Sequence, residues 1–369
     1  MKNRDNIESL YIHIPFCEHL CDYCDFTKLQ YFRIFAEPYI KELINEIHSL
    51  NIESPLKTIY IGGGTPTALE DDLFEQLLKE VSPLTSEVEE YTVECNPESL
   101  SETKLSLMKK YGVNRLSIGV ESTNDEILKA INRHHTFNDV QNAVSNARKH
   151  GFNNINVDLI LGLPNVTKTL LLQDIENIVE LNPEHISCYS LTVHDHTVFG
   201  IKNISEPEED FARDLYDSVH EFLSEKGYEH YEISNWAKEG RRSKHNLTYW
   251  KDNQYFGVGL GASGFERKIR YTNTKNIQEY NLGNHRDIEE IVSREEDEEY
   301  FIMLTLRTLE GLSYKEFERR FAYSFKEKHQ KTINDFVKRK LLIEKDETLI
   351  PTYEGMMILD QIVLDLLSD

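Results

Sequence analysis

Three cysteines near the start of the chain are the residues whose type and spacing point most directly to chemistry. Cys17, Cys21 and Cys24 follow a C-x-x-x-C-x-x-C pattern within the run from Tyr11 to Phe26. A closed [4Fe–4S] cluster takes four cysteine thiolates. Three thiolates leave one iron without a protein ligand, so a small molecule can bind to it. The spacing therefore predicts a cluster that takes part in chemistry rather than one that only relays electrons.

A zinc site is the main alternative for the same three cysteines. Zinc takes four ligands, and His13 or His19 could supply the fourth. Disulfides are disfavoured because the chain has 5 cysteines and its first ten residues lack the apolar segment of a secretion signal. The spacing favours the cluster and leaves zinc open. The other two cysteines, Cys95 and Cys188, fall in apolar strand patterns, where a buried unreactive thiol is the usual interpretation.

The composition is that of a globular protein with one large and one smaller domain. The chain has 369 residues, of which 39% are hydrophobic and 28% charged. It contains no apolar stretch long enough to span a membrane. A net charge of −23 argues against nucleic acid and anionic lipid as partners. We predict a cytoplasmic protein that is not integral to a membrane, in a compartment where thiols stay reduced.

Short apolar runs alternate with amphipathic stretches as far as about residue 230. This alternation predicts parallel strands joined by right-handed helical crossovers. We expect a partial (β/α)6 TIM-like barrel, with a doubly wound sheet as the alternative. The predicted strands are Ser9–Ile14, Thr58–Ile61, Glu90–Glu94, Arg115–Val120, Asn154–Leu161 and His185–Leu191. The predicted helices are Pro38–Leu50, Leu73–Val81, Glu102–Tyr111, Phe137–His150 and Leu170–Leu181.

Unusual motifs follow the first five predicted strands at their carboxyl ends. They are Cys17–Cys24, Gly62–Thr67, Glu94–Glu98, Gly119–Ser122 and Asp158–Pro164. Ligands of parallel α/β proteins bind at this end of the sheet. The five motifs therefore predict one shared binding site.

Individual side chains of these motifs suggest what the site could bind. The glycines Gly62–Gly64 allow a ligand to approach the backbone closely and predict a cradle for an ammonium or a carboxylate. Glu94 and Asp158 could bind ribose hydroxyls or an ammonium, with helix capping or a salt bridge as the alternative. Arg133 could clamp a carboxylate with its planar fork, or could be a surface arginine.

A second group of aromatic and polar residues lies further along the chain. His245, Asn246, Tyr249 and Trp250 precede a glycine-rich run at 255–264. Such residues suit a flat aromatic ligand, and histidine is an axial ligand of haem iron. A structural loop with a hydrogen-bonded histidine is the alternative.

The pattern changes after residue 290, and three regions result. We predict a core at 1–235, an irregular aromatic and glycine-rich extension at 236–290, and a mainly helical module at 291–369. The predicted elements of the module are Glu298–Thr308, Tyr314–Phe321, Lys326–Arg339, a hairpin of Leu341–Glu344 and Thr348–Pro351, and Glu354–Leu367. This order is similar to a winged helix. The acidic balance favours a packing or partner role over DNA binding.

Taken together, the ordered motifs resemble the radical S-adenosylmethionine enzymes, over almost the whole chain. The most similar branch contains oxygen-independent coproporphyrinogen III oxidase. The resemblance implies that the open iron of a [4Fe–4S] cluster binds S-adenosylmethionine. It also implies that an electron from a flavodoxin- or ferredoxin-like donor cleaves that molecule to a 5′-deoxyadenosyl radical. The residues implied at the S-adenosylmethionine site are Tyr11, Gly63, Gly64, Thr65, Glu94, Glu121, Arg133 and Asp158. Glu121 stands where glutamine is usual in the family.

One position divides this branch. The pattern of the oxidases is C-x-x-x-C-x-x-C-x-C, with a further cysteine at the last position. In this chain that position is Phe26. Together with His-Asn-x-x-Tyr-Trp, this resembles the haem chaperone sub-branch, which implies haem as ligand or cargo, delivered to respiratory haemoproteins. His245, Asn246, Tyr249 and Trp250 are then the haem candidates. The alternative is an enzyme that oxidatively decarboxylates two propionates of coproporphyrinogen III to give protoporphyrinogen IX, and the resemblance leaves enzymatic activity open.

Overall fold

A partial barrel of parallel strands organises the molecule, whose computed structural model describes residues 6–368. Within that range one sheet has nine strands, of which six are parallel and adjacent in chain order. These are β1 (Ser9–Ile14), β2 (Thr58–Gly63), β3 (Glu90–Cys95), β4 (Arg115–Glu121), β5 (Ile155–Leu161) and β6 (His185–Ser190). Phe256–Val258 pairs with β1 in parallel, and Asn235–Ala237 and Glu229–Glu232 continue the sheet antiparallel beyond β6. The predicted barrel and all six predicted strands are confirmed.

Helices cover the outer face of this sheet. They are Arg33–Ser49, Asp71–Val81, Glu102–Lys110, Asp125–Ala130, Phe137–Lys149, Lys168–Glu180, Val198–Ile201 and Glu209–Glu225, with short 3₁₀ turns at Pro66–Ala68, Ser82–Leu84 and Pro97–Ser99. The Phe137–Lys149 helix illustrates why they form. Its apolar residues Val140, Ala143, Val144 and Ala147 recur at helical spacing and are buried. Thr136 caps its first turn.

The two faces of each strand have different chemistry. In β1, Leu10, Ile12 and Ile14 are fully buried in the hydrophobic core. The alternate residues carry polar groups, because successive side chains of a strand point to opposite faces. Tyr11 and His13 belong to this second face and bond to each other. The inward face of the barrel is therefore polar, which prepares it to hold a charged ligand.

The extension after residue 236 is more regular than its sequence indicates. It contains the helix Lys244–Trp250, the helix Ile277–Asn281, and an antiparallel sheet of Ser263–Glu266, Ile269–Asn273 and Arg286–Ile291. The strand Arg286–Ile291 is exposed along its whole length. Because no face of that strand is buried, its sequence has no reason to alternate between apolar and polar residues.

The C-terminal module has a hydrophobic core of its own. Its helices are Arg294–Thr305, Tyr314–Phe321, Phe325–Lys328, Gln330–Lys338, Tyr353–Met357 and Leu359–Leu367, and its sheet pairs Leu312–Ser313, Leu342–Lys345 and Thr348–Pro351. Phe301, Phe317, Phe321 and Ile362 lie at its centre. Two of the predicted helices are each divided into two. None of the helices in residues 6–368 is long and apolar enough to cross a bilayer.

A buried ion cluster joins the module to the extension. Arg320 of the module contacts both Asp297 and Asp252, and Arg270 lies 2.7 Å from the opposite oxygen of Asp252. The side chains of Arg320 and Asp252 are only 5% and 1% exposed. Since water cannot replace a lost partner there, removal of the arginine leaves two buried carboxylates without its charge.

We expect Arg320→Ala to lower the free energy of unfolding by about 3 kcal/mol, because it breaks a buried ion pair. Arg319→Ala is the matched control, since Arg319 is half exposed and pairs with Glu316 three residues away. Its effect should stay within about 0.5 kcal/mol. Urea denaturation measures both variants, and equal losses would contradict the assignment.

Candidate functional site

Both ends of the cysteine loop are pinned to the end of β1. Phe16–Cys17 pairs in parallel with Leu29–Gln30, and the Leu29 N–H donates to the carbonyl of Pro15 at 2.6 Å. His13 Nε2 lies 2.8 Å from the carbonyl oxygen of Thr27. The loop is therefore closed at its base, and its cysteines are held at the mouth of the barrel.

The middle of the loop is clamped by segments that follow other strands. Asn132 Nδ2 donates to the Leu20 carbonyl at 2.8 Å. The Asp22 N–H donates to the carbonyl of Ile131 at 3.2 Å, and the Asp22 carbonyl accepts from the Phe199 N–H at 3.0 Å. Contacts from these two segments restrict the positions of the thiols.

Cys17, Cys21 and Cys24 line one cavity of about 410 Å³, which we call the cysteine cavity. Thr65 Oγ1 lies 3.6 Å from Cys17 Sγ, and Arg133 Nη1 lies 3.8 Å from Cys21 Sγ. Burial raises the pKa of the Cys17 thiol to about 12, and a bound metal ion displaces such a proton.

This donor set fits a [4Fe–4S] cluster. In residues 6–368 no three side chains of the metal-ligating types converge on one point. The thiolates of a cubane each bind a different iron, so they stand around the cluster instead of meeting at a single ion. Cys95 and Cys188 are buried, and the thiol of Cys95 is 3.4 Å from the carbonyl oxygen of Ser117.

The glycine loop after β2 packs directly on the cysteine loop. A Cβ at Gly64 would lie 2.9 Å from the carbonyl oxygen of Phe16 and 3.0 Å from Cys17 Sγ. Gly63 has a φ of +111°, which favours glycine, and its N–H donates to Glu94 Oε2 at 2.9 Å. Glycine is therefore needed here for the approach of two loops as well as for backbone conformation.

Three of the carboxyl groups that face the cysteine cavity, and its one guanidinium, belong to predicted site residues. Glu94, Glu121, Asp158 and Arg133 all belong to its wall. Tyr60 donates to Glu94 Oε1 at 2.7 Å. Burial raises the pKa of both Glu94 and Glu121 to about 7. An excess of buried carboxylates favours a cationic ligand, and S-adenosylmethionine carries a sulfonium and an ammonium.

The carboxylate of Asp158 is oriented by neighbouring strands. Ser117 Oγ donates to one of its oxygens at 3.0 Å, and Asn156 Nδ2 donates to the other at 2.9 Å. Asn156 also donates to Ser117 Oγ at 2.7 Å. This network lies on the inward face of β4 and β5 and holds the acid rigid before any ligand binds.

Arg133 lies in the cavity wall and not on the surface. It is 7% exposed, with Nη1 3.2 Å from Asn96 Oδ1 and Nη2 3.7 Å from Glu121 Oε1. Glu121 has a φ of 66°, a conformation that is uncommon for a residue other than glycine. The pairing keeps a positive charge beside the cysteine loop, where it could meet a ligand carboxylate.

The structure brings together every predicted S-adenosylmethionine residue except one. Gly63, Gly64, Thr65 and the four charged residues line the cysteine cavity, whereas Tyr11 lies beneath it and bonds through its hydroxyl to His13 Nδ1 at 2.9 Å. The cavity wall also includes Tyr60, Asn96 and Tyr189, which the sequence analysis did not single out. The polar residues at alternate positions of β3 and β5 were the signal for this inward face.

The haem candidates lie at the opposite end of the barrel. His245 is 1% exposed and bonds through Nδ1 to Thr58 Oγ1, the first residue of β2, at 2.8 Å. A strand rises about 3.3 Å per residue, which places Thr58 roughly 16 Å from Gly63. The Trp250 ring packs under Arg307 of the module, with the guanidinium 4.7 Å from the ring centre. The haem role of this group stays a prediction.

We expect Gly64→Ala to lower the iron and sulfide content of the reconstituted protein. The added methyl group overpacks the contact with Phe16 and Cys17, a change that costs about 1–3 kcal/mol. Gly112→Ala is the control, because a Cβ at Gly112 would have space, while the positive φ of Gly112, which Gly64 lacks, adds only local backbone strain. Equal cluster contents in the two variants would contradict the contact.

Family models and relatives agree with this site. Residues 11–181 match the Radical SAM superfamily, and residues 292–358 match the HemN C-terminal domain. The chain is 39% identical over 356 residues to the heme chaperone HemW of Lactococcus lactis subsp. lactis, covering 94% of each chain. It is 37% identical over 374 residues to HemW of Bacillus subtilis, covering 95% of this chain and 97% of the relative.

The solved structure of coproporphyrinogen III oxidase (HemN) from Escherichia coli has the same fold. It superposes with a TM-score of 0.85 and 22% sequence identity, over 99% of this chain and 91% of that one. The fold likeness and the identities with the two relatives extend across the barrel, the extension and the module. The chain therefore belongs to the HemW family within the radical S-adenosylmethionine superfamily.

Proposed function

We propose that this protein is a haem chaperone that carries a [4Fe–4S] cluster and S-adenosylmethionine, binds haem and delivers it to haemoproteins. The observation that carries the proposal is the 39% identity, over 94% of both chains, to a relative named heme chaperone. The cysteines and the acidic cavity wall supply the chemistry that the two cofactors require.

Phe26 supports a chaperone over an oxidase. It occupies the position of a further cysteine in the oxidase pattern and is 64% exposed at the cysteine cavity. A phenyl ring can neither ligate a metal nor move a proton. It does offer an exposed apolar face at the mouth of the barrel, which suits contact with a flat apolar molecule or a partner protein.

The three cysteines and three charged residues of the cavity have roles in this proposal. Cys17, Cys21 and Cys24 would bind three irons and leave the fourth open, and the cluster supplies one-electron chemistry when reduced. Glu94 and Asp158 would orient the ammonium and the ribose of S-adenosylmethionine. Arg133 would bind its carboxylate through a charge-assisted pair. An electron donor of the flavodoxin or ferredoxin type is required for reduction.

The proposed location and partners of the protein follow from its cluster ligands and its charge. We propose a cytoplasmic location, because reduced thiols are needed for cluster ligation. Respiratory haemoproteins are the proposed acceptors of haem. The net charge of −23 supports protein partners over nucleic acid.

Coproporphyrinogen III oxidation is the second candidate function. The fold shared with HemN over 99% of the chain favours it, since an active site could be retained on the same scaffold. That likeness, at 22% identity, concerns the fold alone. The two functions predict different products, so they can be separated directly.

We expect an anaerobic assay to give no protoporphyrinogen IX and to give saturable haem binding. The reconstituted protein is supplied with dithionite, S-adenosylmethionine and coproporphyrinogen III, and the porphyrins are separated by chromatography. The same preparation is titrated with haem and followed at the Soret band. Turnover of coproporphyrinogen III would make the protein an oxidase despite Phe26, and an absence of haem binding would reject the chaperone.

We expect Cys17→Ala, Cys21→Ala and Cys24→Ala each to abolish the broad visible absorbance of the cluster, with iron and sulfide well below about four per chain. Cys188→Ala is the matched control, because Cys188 is equally a free thiol but lies in the hydrophobic core. A normal spectrum in any of the three variants would refute that cysteine as a ligand.

A further inference from the structure

We propose that the helix Lys244–Trp250 supports the tyrosine layer that lies beneath the S-adenosylmethionine site, and that His245 positions Glu94 through Tyr60. The inference rests on the proposed binding of S-adenosylmethionine beside Glu94. It gives the His-Asn-x-x-Tyr-Trp group a role inside the barrel instead of at a haem iron.

The helix is anchored to the first residues of three barrel strands. Glu90, the first residue of β3, accepts from the backbone N–H groups of Lys244 at 3.0 Å and His245 at 2.9 Å. A carboxylate at a helix N-terminus satisfies free N–H groups and interacts favourably with the helix dipole. On the next turn, Thr248 Oγ1 lies 2.9 Å from Ser9 Oγ in β1. The helix therefore closes the amino-terminal end of the barrel.

One ring contact and one hydrogen bond connect the helix to Glu94 in the cavity wall. The His245 ring packs on Tyr60, with ring centres 5.1 Å apart and planes inclined by 30°. Tyr60 then donates its hydroxyl hydrogen to Glu94 Oε1 at 2.7 Å. Glu94 is thus bonded on one oxygen by Tyr60 and on the other by the Gly63 N–H. Loss of either donor frees the carboxylate to rotate.

A second series of contacts connects Tyr60 to the cysteine loop. Tyr11 lies beside Tyr60, with ring centres 6.1 Å apart. Its hydroxyl bonds to His13 Nδ1 at 2.9 Å, and His13 Nε2 bonds to the Thr27 carbonyl at 2.8 Å. The two tyrosines form a layer between the helix and both parts of the site, the acid and the loop.

The bonding of His245 leaves no nitrogen for a metal. Nδ1 is 2.8 Å from Thr58 Oγ1, and Nε2 is 2.8 Å from the Tyr249 hydroxyl. Burial lowers the pKa of His245 to about 3, so the ring is neutral and has one donor and one acceptor nitrogen. Both are used. A haem iron could bind only by displacing Thr58 or Tyr249 in the interior of the barrel.

The test measures S-adenosylmethionine affinity by equilibrium dialysis on the anaerobically reconstituted full chain. The variants are His245→Ala and Tyr60→Phe, the second of which removes one hydroxyl and keeps the ring. We expect both to bind about tenfold more weakly, equivalent to about 1.4 kcal/mol. Iron and sulfide content and the haem titration should match those of the wild type. Lys244→Ala is the matched control, since its side chain forms an exposed pair with Glu89.

Each outcome decides one question. Unchanged S-adenosylmethionine affinity in either folded variant overturns the inference, and loss of haem binding in His245→Ala would in addition return this histidine to the haem site. If His245→Ala fails to fold, Tyr60→Phe alone decides. If the wild-type protein binds neither haem nor S-adenosylmethionine, the proposed function itself is refuted. That result differs from one in which the wild type and the variants bind S-adenosylmethionine with the same affinity, which refutes only the inference.

Discussion

The contact between the glycine loop and the cysteine loop is the constraint on which the rest of the site depends. Backbone bonds of 2.8 Å join the Gly64 N–H to the Ile14 carbonyl and the Thr65 N–H to that of Phe16. These bonds extend the parallel ladder of β1 and β2 beyond the strands themselves. They place Cys17 against Gly64, and the adjacent Gly63 bonds Glu94. The pairing register of β1 and β2 thus sets the relative positions of the Cys17 thiol, the Gly63 N–H group and the Glu94 carboxylate.

Burying the charged groups of the cavity costs free energy, and neighbouring hydrogen-bond donors and Arg133 offset part of that cost. Burial disfavours the ionised forms of Glu94 and Glu121 and raises their pKa values to about 7. Hydrogen bonds from Tyr60 and Gly63 offset part of this cost for Glu94, and Arg133 does so for Glu121. A bound cationic ligand would offset a further part of the free-energy cost of burying these carboxylates. Buried carboxylates with raised pKa values that are grouped in one cavity are typical of binding sites.

The extension and the module complete the barrel from below. The Lys244–Trp250 helix meets β1, β2 and β3 at their first residues, through hydrogen bonds from Thr248, His245 and the helix N-terminus. Arg307 covers Trp250, and Arg320 joins the module to Asp252. Through these contacts the C-terminal module supports the helix that lies beneath the site. Its acidic character and its packing are consistent with a structural role.

Elements and ligands that depend on local pattern can be predicted from the sequence. Apolar runs of strand length predict β1–β6, and the spacing of Cys17, Cys21 and Cys24 indicates a cluster. The positions of Arg133 and His245, in contrast, depend on the packing of segments that are far apart in the chain. Arg133 approaches Cys21 across 112 residues of chain, and His245 approaches Thr58 across 187. The burial and bonding of such residues come from contacts between distant segments, which leave no period in the local sequence that could reveal them.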